Sequence, residues 1–247
     1  EKIKISLFEK YSSEYNLVKN EALCLELGLN KKTTKIIDNK IKKSIKSTNN
    51  WVLIGGPPCQ AYSLVGRSRI GGIKKDDNRV FLYKEYLRII ARHQPSIFVM
   101  ENVKGLLSAK LDDESVFNLV KRDLSNPKRV YTKSKSKRYK LYSLVRTPSG
   151  FTDDGFPVYN KNSDFTIKSE DYGIPQKRHR VILLGIREDI KSIPSILTPS
   201  ENKIKLKTIL RDLPKIRSGL HRSFILSDII EGKKKRYYEK VIDSDEN

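Results

Sequence analysis

The sequence predicts an α/β fold organised around a parallel sheet, and three features carry that expectation. Three short apolar runs, Trp51-Val-Leu-Ile54, Ile97-Phe-Val-Met100 and Val181-Ile-Leu-Leu-Gly-Ile186, each abut a polar loop. A helical stretch separates the first two, with Leu82, Tyr86, Leu87 and Ile90 on one side and Pro95 behind it. The order strand, loop, helix, strand is that of a parallel α/β unit. At 247 residues the chain can bury a sizeable core as one domain, or as one domain and a fragment.

Taken in order, residues 1–30 read as helix, with Leu17, Leu23, Leu25, Leu27 and Leu29 among charged positions and Gly28 and Asn30 as stop signals. Cys24 is expected to pack in the core of that helix. Residues 35–47 are amphipathic, with Ile37, Ile41 and Ile45 at spacing four. Residues 51–54 read as a short buried strand, 64–79 as a Gly-rich basic loop, 80–93 as helix and 97–100 as a second buried strand. A helix is expected around 113–124, and Tyr139 to Val145 and Thr152 to Tyr159 as hairpin strands. The run KSKSKRYK at 133–140 reads as a solvated loop, and residues 188–247 lose apolar density.

Composition narrows the function. Fifty Lys+Arg against 29 Asp+Glu give a net charge of +21, which points to a polyanionic partner, most simply nucleic acid. Lysine-rich composition can also follow from AT-rich coding. Two cysteines, Cys24 and Cys59, make neither a disulfide framework nor a zinc ligand set, so a reducing, cytoplasmic setting is expected. No apolar run approaches a membrane span, and no membrane partner is expected. The chain starts at Glu1 and its single methionine is Met100, so truncation is expected.

Cys59 follows the first apolar run through Gly55-Gly56-Pro57-Pro58, in the first turn beyond a strand, where open α/β sheets place reactive groups. Glu101-Asn102 directly follows the second run, and Gln176-Lys-Arg178-His-Arg180 precedes the third. If the three strands are neighbours in one parallel sheet, a thiol, a carboxyl group and two guanidiniums meet in one cleft. A nucleophilic thiol needs such an electropositive setting. His93 and His179 receive no role.

In their order, PPCQAYS, ENV and QKRHR resemble the hallmark motifs of the DNA cytosine-5 methyltransferases. FLYKEYLRII resembles the family's helix between nucleophile and glutamate, and LKTILRDLPKIRSG its segment after the last catalytic strand; the resemblance runs from about residue 34 to residue 220. It implies a Rossmann-like, S-adenosylmethionine-dependent methyltransferase core over residues 1–187, truncated, with the start of a small target-recognition domain over 188–247. Cys59 matches the nucleophile that adds to carbon 6 of cytosine. Glu101 matches the acid at ring nitrogen 3 and the exocyclic amine, where burial would raise its pKa toward proton donation. Arg178 and Arg180 match the pair that grips the base oxygen.

The resemblance further implies S-adenosylmethionine as cofactor, with Pro57, Leu82 and Asp38 at cofactor positions. Double-stranded DNA is the implied partner, contacted by Gln60 and Ser63, with Arg67, Arg69 and Arg79 near phosphates, and the target base flipped out of the stack. A bacterial or phage monomer with a cognate restriction endonuclease is the implied setting. The family's Phe-x-Gly-x-Gly cofactor loop and its closing motifs have no counterpart. Two alternatives stay open: a tRNA-methylating branch of the family, which shares the three motifs, and a non-catalytic DNA-binding relative or gene remnant, which the missing glycine loop permits.

Overall fold

The structure is a computed structural model that describes residues 7–58, 82–213, 222–230 and 233–240. Four helices of ten or more residues, α1 (Ser12–Glu21), α2 (Lys31–Ile45), α3 (Tyr83–His93) and α4 (Val116–Ser125), accompany a five-stranded sheet. Its strands are β1 (Val52–Gly55), β2 (Ile97–Val103), β3 (Tyr139–Tyr142), β4 (Thr166–Lys168) and β5 (His179–Arg187).

The order is β1-β2-β5-β3, with β4 pairing the other half of the β5 edge that β3 uses. β1 and β2 run parallel, from Val52 opposite Ile97 to Gly55 opposite Met100. The third strand departs from the expectation of one parallel sheet: β5 is antiparallel to β2, with Val103 opposite Arg180 and Ile97 opposite Ile186. The expected hairpin between 139–145 and 152–159 is also replaced. β3 joins the main sheet, while Gly150–Phe151 pairs with Pro157–Val158.

One face of the sheet carries the main core. Phe98 and Met100 from β2, with Val181 and Leu183 from β5, pack against Leu87 and Ile90 of α3 and Phe117, Val120 and Leu124 of α4. Alternation along β2 buries Phe98, Met100 and Asn102 and leaves Val99, Glu101 and Val103 on the other face. That second face is covered beside β5 by Tyr142, Leu184 and Ile186. Beside β1 it is open: Val52 and Ile54 are 52% and 76% exposed, and β1 is the outermost strand of the sheet among the described residues, not the buried strand its apolar run suggests.

Local signals account for the element ends. The Asn30 side chain accepts from Thr33 N–H at 2.8 Å and caps the start of α2; the expected stop signal is a start signal. Gln94, left-handed at φ 47°, closes α3 ahead of Pro95. The expected helix over residues 1–30 is cut at Glu21, and Leu23, Leu25, Leu27 and Leu29 are exposed. Cys24 is exposed as well, because leucines at spacing two do not share a helix face. Strands β6 (Arg222–Ile230) and β7 (Lys233–Lys240) form a separate antiparallel hairpin. Among the described residues no helix is long and apolar enough to cross a membrane.

Candidate active site

The reversal of β5 is what assembles the site. The arginine motif precedes its strand, whereas the Pro-Pro-Cys and Glu-Asn segments follow or end theirs. In an all-parallel sheet the arginines would lie at the far end. Running antiparallel, β5 begins where β2 finishes, with Val103 opposite Arg180 and Glu101 opposite Ile182.

Glu101 and Arg180 thereby share a face, and Arg180 Nε lies 2.6 Å from Glu101 Oε1. The N–H direction misses the oxygen, so this is a charge contact and Nε makes no hydrogen bond among the described residues. The guanidinium is oriented instead by Nη1, which donates to the His179 carbonyl at 2.9 Å. The Glu101 side chain is 41% exposed; the burial expected to turn it into an acid is absent, and its partner is a cation.

Glu101 also reaches the segment before the thiol. A Cβ on Gly56 would stand 3.1 Å from Glu101 Oε2, so the glycine keeps that space open for the carboxylate. On the buried face Asn102 Nδ2 donates to the Pro57 carbonyl at 3.4 Å while its Oδ1 accepts from Val103 N–H at 2.9 Å. Consecutive residues of β2 therefore border the Gly56-Pro57-Pro58 turn, Glu101 by close approach to Gly56 and Asn102 by a hydrogen bond to Pro57. Tyr86 holds the same corner, its hydroxyl within reach of the Leu53 and Val99 carbonyls at 3.2 and 3.0 Å. Cys59 comes next in sequence. It lies outside the described residues, as do Gln60, Ser63, Arg67, Arg69, Arg79 and the expected loop 64–79.

Arg178 is exposed, and its carbonyl accepts from both Ser169 N–H (3.2 Å) and Ser169 Oγ (2.7 Å). His179 Nε2 is 2.7 Å from Glu170 Oε1. Ser169 and Glu170 were not singled out from sequence, Asn102 was read only as part of the Glu101-Asn102 motif and His179 was given no role; the register of the β4–β5 pairing brings Ser169, Glu170 and His179 together.

Leu82 occupies the N-cap of α3. Asp38, expected at the cofactor's adenine side, is 4% exposed with both oxygens engaged. Arg88 Nη1 contacts them at 3.0 and 3.2 Å, Arg92 Nε lies at 3.1 Å and His93 Nε2 at 2.9 Å. Burial pushes its pKa up, but the hydrogen bonds from His93 and Arg88 and the charges of Arg88 and Arg92 hold it below the ordinary carboxyl value. Its accepting capacity ties α2 to α3. A cavity of about 780 Å³ beside this cluster, lined by Thr34, Arg88, Arg92, Tyr131 and Lys133, shares no residue with the Glu101–Arg180 constellation.

The basic run 133–138 is partly neutralised. Lys137 pairs with Asp189 at 2.7 Å, and Arg138 with Glu188 at 2.9 Å and Asp154 at 3.0 Å. Burial raises the Asp189 pKa, but Arg187 and Lys137 outweigh it and bring the value down to about 2.

The profile of the C-5 cytosine-specific DNA methylases matches residues 11–128 and 149–246. The chain belongs to the C-5 cytosine-specific DNA methylase family. That match contains β1, β2, β4 and β5, every strand bordering the constellation, and skips β3 with the basic run.

Relatives of this chain carry the name Type II methyltransferase. M.Bpa9945I of Bacillus paralicheniformis is 33% identical over 159 residues, covering 63% of this chain and 29% of that protein. M.MthTI of Methanothermobacter thermautotrophicus is 29% identical over 170 residues, covering 69% and 40%. M.DdeI of Desulfomicrobium norvegicum is 30% identical over 173 residues, covering 68% and 33%. The chain thus spans between 29% and 40% of the length of these relatives.

Proposed function

We propose that this chain supplies the catalytic strands of a DNA cytosine-5 methyltransferase that transfers a methyl group through a covalent Cys59 adduct. The observation that carries the proposal is the Glu101–Arg180 contact set directly over Gly56, three residues before the thiol. A flipped cytosine offers a ring nitrogen and an amine on one edge and a carbonyl oxygen beside them. The Glu101 carboxylate accepts from the amine, and it serves the ring nitrogen only as a donor, when it carries a proton. Arg180, with Arg178 adjoining, suits the oxygen, since a forked guanidinium holds such an acceptor rigidly.

In this reading the Cys59 thiolate forms a bond to carbon 6, and the ring's electron pair shifts to make carbon 5 nucleophilic. The negative charge that develops on the ring is met by Arg178 and Arg180. Once carbon 5 is alkylated, loss of its proton and release of the thiolate restore Cys59. S-adenosylmethionine supplies the methyl group. Pro57 and Leu82 fit an apolar wall for it, but the saturated carboxylate of Asp38 does not fit a contact to its adenine end. Residues 188–247, with the β6–β7 hairpin, would begin the target-recognition region, and a partner endonuclease would fit a Type II modification role.

The test is adduct formation by the whole protein on duplex DNA carrying 5-fluorocytosine, read as a denaturation-resistant band. Wild type should form it and Cys59→Ser should not. An adduct that persists in the serine variant ends the nucleophile assignment.

A further inference from the structure

The loop 169–178 leaves β4 and returns into β5, and at its base Lys168 faces His179 in the ladder. Three polar contacts close that base. Ser169 N–H and Oγ both donate to the Arg178 carbonyl, and the Glu170 carboxylate meets the His179 ring at 2.7 Å. Above them, Arg178 N–H donates to Gln176 O at 2.9 Å and Gln176 N–H to Ile174 O at 2.7 Å, so Arg178 leaves a closed turn.

His179 is the link between this base and the reactive face. Its ring is held by Glu170, and its carbonyl receives the Arg180 guanidinium through Nη1. Arg180 Nε makes no hydrogen bond of its own among the described residues, so the plane of the guanidinium depends on where the His179 peptide sits. Adjacent strand residues project to opposite faces, which lets His179 be braced from behind while Arg180 reaches Glu101.

We propose that Glu170 and His179, with Ser169, are positioning residues that set the placement of Arg178 and Arg180 against the target base. The proposal rests on the cytosine-methylation reading for what the arginines do, but not for how they are held. The Glu170–His179 contact is short and charge-assisted when the ring is protonated, the kind of bond that fixes geometry most firmly. A misplacement of the arginines of about 1 Å is enough to cost on the order of tenfold to a hundredfold in rate.

The experiment uses the whole protein with Glu170→Ala, Glu170→Gln and Ser169→Ala, and reads two quantities. The first is the rate of adduct formation at saturating 5-fluorocytosine DNA, alongside DNA affinity and Tm. The second is the ¹⁵N–¹H resonance of Arg180 Nε, assigned with Arg180→Lys, which needs no activity. Glu170→Ala should slow the adduct step about tenfold or more with DNA affinity changed less than about twofold. It should also shift or broaden the Arg180 resonance, and Glu170→Gln, which keeps an acceptor, should restore most of both. Ser169→Ala should give a smaller change of the same kind. An unmoved Arg180 resonance in Glu170→Ala overturns the proposal, as does a rate loss that follows a fall in Tm and is not recovered by glutamine. If wild type forms no adduct, the methylation reading fails, and the Arg180 resonance alone still decides the positioning role.

Discussion

Asp38 gathers Arg88, Arg92 and His93 onto one buried carboxylate, and its depressed pKa gives a signed expectation. A carboxyl whose folded pKa lies below its ordinary value of 3.8 contributes stability in full above that value. The contribution is lost as pH falls toward and through the folded pKa. Asp38→Asn should therefore cost on the order of 3 kcal/mol near neutral pH, because it takes the buried carboxylate's charge from Arg88 and Arg92 and leaves Arg88 only its Glu85 contact. Urea melts should show the gap to wild type closing progressively as pH falls below 3.8. A gap that stays constant down to pH 2 would assign the loss to packing. At the site, Arg180→Lys should lower the adduct rate on the order of a hundredfold, because an ammonium cannot hold Glu101 and the base oxygen in one plane; single-turnover kinetics check it. Glu101 and Arg180 were legible because each abuts an apolar run. The partners of Asp38 were not, since Arg88 and His93 lie 50 and 55 residues further on and only the packing of α2 on α3 brings them near.

Among the elements, β5 teaches most about what a sequence conceals. Its apolar run made it legible as a strand, but strand direction is not written in a periodicity of two. The loop order did hold a clue, because only a reversed third strand brings a preceding motif level with two following ones. α2, α3 and α4 were legible from their apolar stripes, and their ends shifted where capping decided them, as at Asn30. β1 was misread as buried because an apolar run does not reveal how many neighbours a strand has. Gly185, in the middle of β5, faces Phe98 across the ladder, and a Cβ there would drive into the Phe98 ring. Gly185→Ala should destabilise by roughly 1–3 kcal/mol through this overpacking, read as a lowered urea midpoint with the slope unchanged.

At the scale of the whole molecule, the net charge of +21 is in plain view in the sequence, while its distribution is not. The acidic residues Asp154, Glu188 and Asp189 spend themselves on Lys137, Arg138 and Arg187, so the basic run at 133–138 is less free than it reads. The remaining excess should still dominate DNA affinity. Binding to a duplex is expected to weaken about a thousandfold between roughly 50 and 200 mM salt, the behaviour of some six neutralised phosphates. Fluorescence anisotropy across that range would show it, and a flat salt dependence would mean that the lysines merely solvate the surface.

β2 lies between a parallel neighbour and an antiparallel one, and this makes the site a proofreader of its own folding. A slip of one residue in the β2–β5 ladder would turn Arg180 to the face where Met100 and Val181 are buried, because every side chain on a slipped strand changes sides. The guanidinium would then be trapped in the core and Glu101 left alone over Gly56. A chain that zips out of register therefore yields neither a stable fold nor a weakened site with altered chemistry. Correct strand pairing and the capacity to hold a base arrive together or not at all.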